Sequence, residues 1–298
     1  LQCWQRGVST TTSGDYQADR FWVVNQGTYA RDNSAPDGFQ YSVKLTHSSS
    51  NMAIGTPIEL PATGNASPLV SGNTFTVSFY GKADSGTEDV NLLCRYRNSK
   101  FSSTNQVDFT GTGQTFTLTT SWQRFTKTFT IPTINANNTI ISIEIEGIGA
   151  TAYFTGFQAE LGSVATDFEH RSYGQELALC QRYFQTISRS SNANSVNGTF
   201  AAGTCNDNGS SGGILQVMVR FQTTMRAVPT MTQTGTFSHH VSGVNVADTT
   251  VAFSQAFIDG VKCTGTQTAF VSADGSCGEL TSKYSDTSTA IIKANAEL

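Results

Sequence analysis

TIISIEIEGIGATAYFTGFQAEL, residues 139–161, alternates apolar and polar side chains with a period of two. Ile141, Ile143 and Ile145 fall on one side of an extended chain against Glu144 and Glu146, and Tyr153, Thr155, Phe157, Ala159 and Leu161 continue the pattern. Successive side chains of a strand point to opposite faces, so such runs read as antiparallel strands with one face buried. The same alternation recurs upstream. FTVSFYGKA (75–83) opposes Phe75, Val77 and Phe79 to polar neighbours, TFTLTTSW (115–122) repeats it, and FTKTFTIP (125–132) sets Phe125, Phe129 and Ile131 on one side with Lys127 interrupting them. Clusters such as SGNT, ADSGTED and TGTGQ punctuate the runs at turn-like intervals. One face of each sheet has to be covered by another, which predicts an all-β fold whose N-terminal part is a β-sandwich.

Only DFEHRSYGQELALCQRYF (167–184) reads as a helix. Ser172 followed three residues later by Gln175 is a capping-box pattern, and Tyr173, Leu177, Cys180, Phe184 and Ile187 recur at helical spacing as one apolar stripe. Gly-rich alternation resumes beyond it. The expected organisation is a sandwich over 1–170, a linking helix over 171–188 and a smaller β-rich domain over 189–298.

Composition excludes several classes. Charged residues make up 13% of the 298, the formal net charge is −4 and no basic run occurs, so nothing in the chain attracts a phosphate backbone and nucleic acid is not an expected partner. No apolar run approaches the length of a membrane span, so no membrane insertion is expected, and LQCWQRGVS at the start lacks the pattern of a signal peptide. The six cysteines are scattered without a C-x-x-C pair. Most are expected to be free thiols, with Cys263 and Cys277 able to bridge a hairpin only in an oxidising compartment.

Several words of the first half resemble a known module. CWQRG (3–7), ADRFW (18–22), YSVKLT (41–46), FTVSFYGKA (75–83), TTSWQRFTKTFTIP (119–132) and FTGFQAELGSVATDFEHRSYGQELALCQRYF (154–184) are similar, in that order, to the jelly-roll module of tail fibres and other appendages of tailed bacteriophages, a module itself similar to carbohydrate-binding modules. In the second half, LQVMVRFQTTMRAVPTMTQTG (215–235) and IIKANAEL (291–298) resemble segments near the ends of phage fibre proteins. The resemblance implies a virion surface protein with a lectin-like fold, made in the host cytoplasm and working as a homotrimer beside other virion proteins.

Enzyme motifs are absent: there is no G-x-S-x-G, no P-loop and no H-E-x-x-H. The expectation is a non-enzymatic protein without a cofactor. Glu144 and Glu146 share a strand face, a geometry that suits a glycosidase or a metal, but an exposed, solvated face accounts for them. Asp167 and Glu169 precede the helix N-terminus, where negative charge is favoured, and calcium is the alternative reading there. Sugar rings stack on aromatics while their hydroxyls bond to polar side chains, so CRYRNSKFSS (94–103) is the candidate glycan segment, with Arg95, Tyr96, Arg97, Asn98 and Phe101. Trp4, Trp22 and Trp122 are assigned to packing. Two classes compete: a tail fibre or tail-tip subunit recognising a host-surface glycan, and a head-fibre, cement or adaptor protein that binds only other virion proteins.

Overall fold

The computed structural model describes residues 2–11, 14, 16, 18–24, 27–48, 51–60, 69–99, 104–134, 138–190, 199–207, 213–241, 244–266, 277–282 and 289–297. It divides into two compact units, one running to Glu176 and the other comprising Leu177–Glu297.

The first unit holds twelve strands: β1 (Ser9–Thr10), β2 (Trp22–Val24), β3 (Gly27–Asp32), β4 (Ser42–His47), β5 (Met52–Glu59), β6 (Thr74–Ala83), β7 (Glu88–Arg97), β8 (Val107–Asp108), β9 (Gln114–Leu118), β10 (Gln123–Thr130), β11 (Ile140–Ile148) and β12 (Ala152–Leu161). They form two antiparallel sheets, β1-β3-β4-β12-β6-β10 and β2-β5-β11-β7-β8, with β9 paired to β7. The inner faces enclose one core in which Val77, Phe79, Leu92, Ile141, Ile145 and Phe154 are fully buried. This is the sandwich that the alternation predicts.

One strand departs from it. Strict alternation puts Tyr153 with Phe157 and Ala159, whereas Phe154 is the core residue and Tyr153 faces outward across from Lys44 and Lys82. The register of β12 against β6 shifts between Thr155 and Gln158, a β-bulge that turns Phe157 back onto the core, where its ring stacks 5.9 Å from Phe79. Leu161, beyond the bulge, is exposed. Gly156 makes the bulge feasible: its φ is +61°, and a Cβ there would lie 2.8 Å from both the Phe39 and Tyr80 rings.

Helix α1 (Tyr173–Gln181) is capped as expected. The Gln175 amide donates to Ser172 Oγ at 3.4 Å and Gln175 Oε1 accepts from the Ser172 amide at 3.1 Å. The longer helix over 171–188 does not form, and the apolar stripe is not one surface. Tyr173 is exposed, and Phe184 and Ile187 belong to β13 (Phe184–Ser190). Pairing of β13 with a strand more than a hundred residues away, in which Ile187 faces Ile292, overrides the local helical spacing.

The second unit continues with β14 (Thr199–Asp207), β15 (Gly213–Arg220), β16 (Thr230–Thr234), β17 (Phe237–Val241), β18 (Val244–Ala256), β19 (Gly260–Thr266), β20 (Cys277–Ser282) and β21 (Thr289–Asn295). Six strands close into a barrel, β14-β15-β19-β18-β17-β20, and β13-β21-β16 make a small separate sheet. Leu215, Val217, Val261, Cys263 and Leu280 share a core with Ile187 and Ile292 of that sheet. Cys263 is a buried free thiol, and the side chain of Cys277 lies outside what the structure describes. Arg226 donates to the Ala296 carbonyl at 3.2 Å and ties the segment before β16 to the end of β21.

Gly156→Ala should therefore destabilise the first unit by about 2 kcal/mol, since it adds a positive-φ penalty to a steric one. Chemical denaturation that leaves the midpoint unchanged would show that β12 does not need the bulge.

Candidate functional site

The outer face of β2-β5-β11-β7 is not an ordinary solvated sheet face. Ile141, Ile143 and Ile145 of β11 point into the sandwich, so Ser142, Glu144 and Glu146 point out. On β7, Val90, Leu92, Cys94 and Tyr96 point in, which turns Asn91, Leu93, Arg95 and Arg97 outward. On β2, Val23 joins the core and Trp22 lies on the outer side. A cleft of about 700 Å³ opens on this face, with Trp22, Ala53, Asn91, Arg97, Glu144 and Glu146 among its lining.

Its floor is a network of charge-assisted hydrogen bonds. Arg97 Nε donates to Glu144 Oε1 at 2.8 Å and Arg97 Nη2 to Glu144 Oε2 at 3.0 Å, a bidentate pair. Arg95 Nη1 bridges Glu144 at 3.1 Å and Glu146 at 3.2 Å, while Arg95 Nε reaches Asp108 at 3.1 Å. Strand register explains the convergence: Glu144 sits opposite Leu93, with Arg95 on the diagonal. Burial, and then the hydrogen-bonded Glu144 carboxylate beside it, push Glu146 above the usual carboxylate range, with Arg95 opposing them. Glu144 itself is 1% exposed, which corrects the expectation of a solvated acidic pair. With both Glu144 oxygens already accepting from guanidinium groups, the two glutamates are not arranged as the acid and base of a glycosidase.

The apolar side of the cleft depends on Trp22 lying flat on β5. Trp22 is directly opposite Gly55, where a Cβ would fall 2.0 Å from the indole Cζ2, so only glycine accommodates the ring.

Of the sequence candidates, Arg95 and Arg97 meet on this face. Tyr96 does not: it is fully buried on the opposite face with its ring 4.9 Å from Phe109, because it is one residue out of phase with the two arginines. Asn98 lies just past the end of β7, where its carbonyl accepts from Thr139 Oγ1 at 2.7 Å. Phe101 lies outside the described residues. Asp167 and Glu169 are exposed and belong to no cluster of three ligating side chains among the described residues, and Glu169 is ion-paired with Arg171 at 3.5 Å. Trp22 is buried, in keeping with its assignment to packing, and also lines the cleft, whereas Glu144 is buried and not solvated, and Asn91 is a lining residue outside the sequence candidates. The period of two in EDVNLLCRYR (88–97), which places Asn91, Arg95 and Arg97 together, was the available signal for Asn91.

Glu144→Gln removes the charge shared by two guanidinium groups and turns one accepting oxygen into a donating NH2, so it should cost about 3 kcal/mol in denaturant titrations. Glu146 behaves oppositely. Its raised pKa means that the folded state holds the proton more tightly than the unfolded one, so this group's contribution to stability falls as pH rises through the window between its ordinary value and its elevated one. Glu146→Gln should leave the melting temperature unchanged or raised at neutral pH and flatten that part of the pH profile, and a marked loss at neutral pH would contradict the assignment.

Comparison with known proteins bears on the same segment. Residues 20–151 match the family model described as a carbohydrate binding domain, a stretch that is less than half of the 298-residue chain. No curated protein matches. Among solved structures, the chain is similar to a module described under CBM4 structure and function, with 22% identity over 53% of this chain and 84% of that one and a TM-score of 0.32. It is similar to the C-terminal family 22 carbohydrate binding module of Clostridium thermocellum Xyn10B, with 12% identity over 50% and 89% of the two chains and a TM-score of 0.38. It is also similar to the CBM22-1 xylan-binding domain of Paenibacillus barcinonensis Xyn10C, with 13% identity over 55% and 92% and a TM-score of 0.35. The matched stretch takes in Trp22, Ala53, Asn91, Arg97, Glu144 and Glu146 of the cleft's lining.

Proposed function

We propose that the first unit is a non-catalytic carbohydrate-binding module that receives a glycan in the cleft on the outer face of β2-β5-β11-β7. The observation that carries this reading is one cleft that combines a rigid polar floor of Arg97, Glu144 and Asn91 with a base closed by the buried Trp22 and Ala53. Sugar hydroxyls both donate and accept, so a cleft lined by a guanidinium, carboxylates and an amide can hydrogen-bond them. The Arg97–Glu144 pair holds its geometry before ligand arrives, which lowers the ordering cost of binding.

The finer reading is a subunit of a tailed-phage appendage, a tail fibre or tail-tip protein on the virion surface that recognises a host-surface glycan as a homotrimer. Its support is the ordered set of words from CWQRG to the capped helix, together with the segment around Arg226. Edge strands, as β13 and β16 are among the described residues, are the feature that association would close.

Affinity electrophoresis and calorimetry against a panel of neutral polysaccharides test the first claim. At least one should retard the protein, and Asn91→Ala should weaken that binding roughly fivefold, the worth of one hydrogen bond. Absence of binding to every glycan on a broad array would remove the claim and favour a protein-binding decoration role. Light scattering of the full chain should give a trimer mass, and a monomer mass would overturn the assembly.

A further inference from the structure

We propose that the other sheet of the sandwich carries a second ligand site on its outer face, built from Lys44, Tyr153, Lys82 and Trp122, that takes an acidic glycan through its uronate units. Tyr153 on β12 is the direct register partner of Lys44 on β4 and of Lys82 on β6, so the three form a row running across the strands on one face. The row continues one strand further, because Gln123 pairs with Gly81 and the preceding residue, Trp122, is therefore level with Lys82. Lys44 Nζ lies 5.3 Å and Lys82 Nζ 4.6 Å from the centre of the Tyr153 ring, and Lys82 Nζ lies 5.6 Å from the Trp122 ring. Trp122 meets Tyr153 edge-on at 6.4 Å and 69°.

Two features distinguish this row from an ordinary basic surface. Among the described residues neither ammonium has a carboxylate within ion-pair distance, whereas Arg6, Arg95 and Arg97 all do. Asp84 accepts the Tyr153 hydroxyl at 2.7 Å, and Asp84 and Asp32 act on Lys44 through space rather than in contact with it. The remainder of the same face is covered. Thr76 Oγ1 donates to the Gly162 carbonyl at 2.7 Å, Thr128 Oγ1 to the Ser163 carbonyl at 3.2 Å, and Phe39 packs between Tyr80 and Phe168 at 5.3 and 4.8 Å. The segment after β12 thus lies over the outward residues of β6 as far as Tyr80 and stops short of Lys82.

A uronate unit meets both demands of the open end in one residue. Its carboxylate bridges two ammonium groups that touch no carboxylate among the described residues, and its C–H face rests on the half-buried Trp122 indole. Nucleic acid is a poorer fit, because the chain has no basic run and a net charge of −4. Half-exposed ammonium groups are screened by salt, so binding here should be salt-sensitive in a way that a hydroxyl-bonding cleft is not.

Polygalacturonate, with its fully methyl-esterified form as the uncharged control, tests the site on the full chain. The native protein should bind polygalacturonate at low salt and lose most of that binding in 0.5 M salt, a concentration at which the Debye length is only about 4 Å. The double variant Lys44→Gln/Lys82→Gln should bind it at least roughly tenfold more weakly, as should Trp122→Ala, with unchanged melting temperatures for the lysine variant. Asn91→Ala, in the cleft, should leave polygalacturonate binding intact while weakening neutral glycans, so the two sites fail independently. Equal binding of polygalacturonate by the native and lysine variants, equal binding of the esterified polymer, or no binding of polygalacturonate by the native protein would each overturn the proposal.

Discussion

The Glu144 carboxylate is the constraint around which the first unit's outer face is organised. A carboxylate that is 1% exposed is costly to bury unless its oxygens are fully engaged, and here a bidentate Arg97 and a bridging Arg95 engage them. Meeting that requirement fixes the outward side chains of β7 and β11 relative to one another and aligns the polar side of the cleft. It also explains why Arg95 reaches out to Asp108 and Glu146: one guanidinium serves three carboxylates across three strands. The floor is consequently a rigid surface whose donors and acceptors are already positioned, the kind of surface on which a flexible, hydroxyl-rich ligand can be held at low ordering cost.

Two glycines convert that sheet pair into a scaffold with two usable faces. Gly55 admits the Trp22 indole onto β5 and so closes the base of the cleft. Gly156 admits the bulge in β12, and through it a single strand supplies Phe154 and Phe157 to the core on either side of the kink while Tyr153 faces out between two lysines. A bulge placed in a strand is a means of re-aiming side chains without adding an element. The second unit handles its strands differently. Closing six of them into a barrel removes their edges, and aliphatic side chains with the Phe200 and Phe237 rings fill its core, while β13 and β16 are the outer strands of β13-β21-β16 among the described residues.

Much of this was written into the sequence. Period-two alternation in FTVSFYGKA, FTKTFTIP and TIISIEIEGI located the strands and their buried faces, because the repeat of an extended chain is fixed by its stereochemistry and does not depend on what lies across from it. Ser172 and Gln175 marked the helix start for an equally local reason, the hydrogen bonds they exchange within one turn. Arg95 and Arg97 were identifiable as a polar pair on one side of β7.

What tertiary structure alone decided is everything that depends on a partner distant in sequence. The helix ends at Gln181 because Phe184–Ser190 pairs with a strand a hundred residues later, a competition that no local spacing records. Glu144 is buried because β11 lies between β5 and β7, whose side chains close over it. Trp22 becomes a cleft residue only because its cross-strand neighbour is a glycine. Sequence thus determined which residues alternate and where the chain turns, since those are properties of the backbone; cross-strand register decided which outward side chains meet, since a shift of one residue in pairing moves every one of them to the other face.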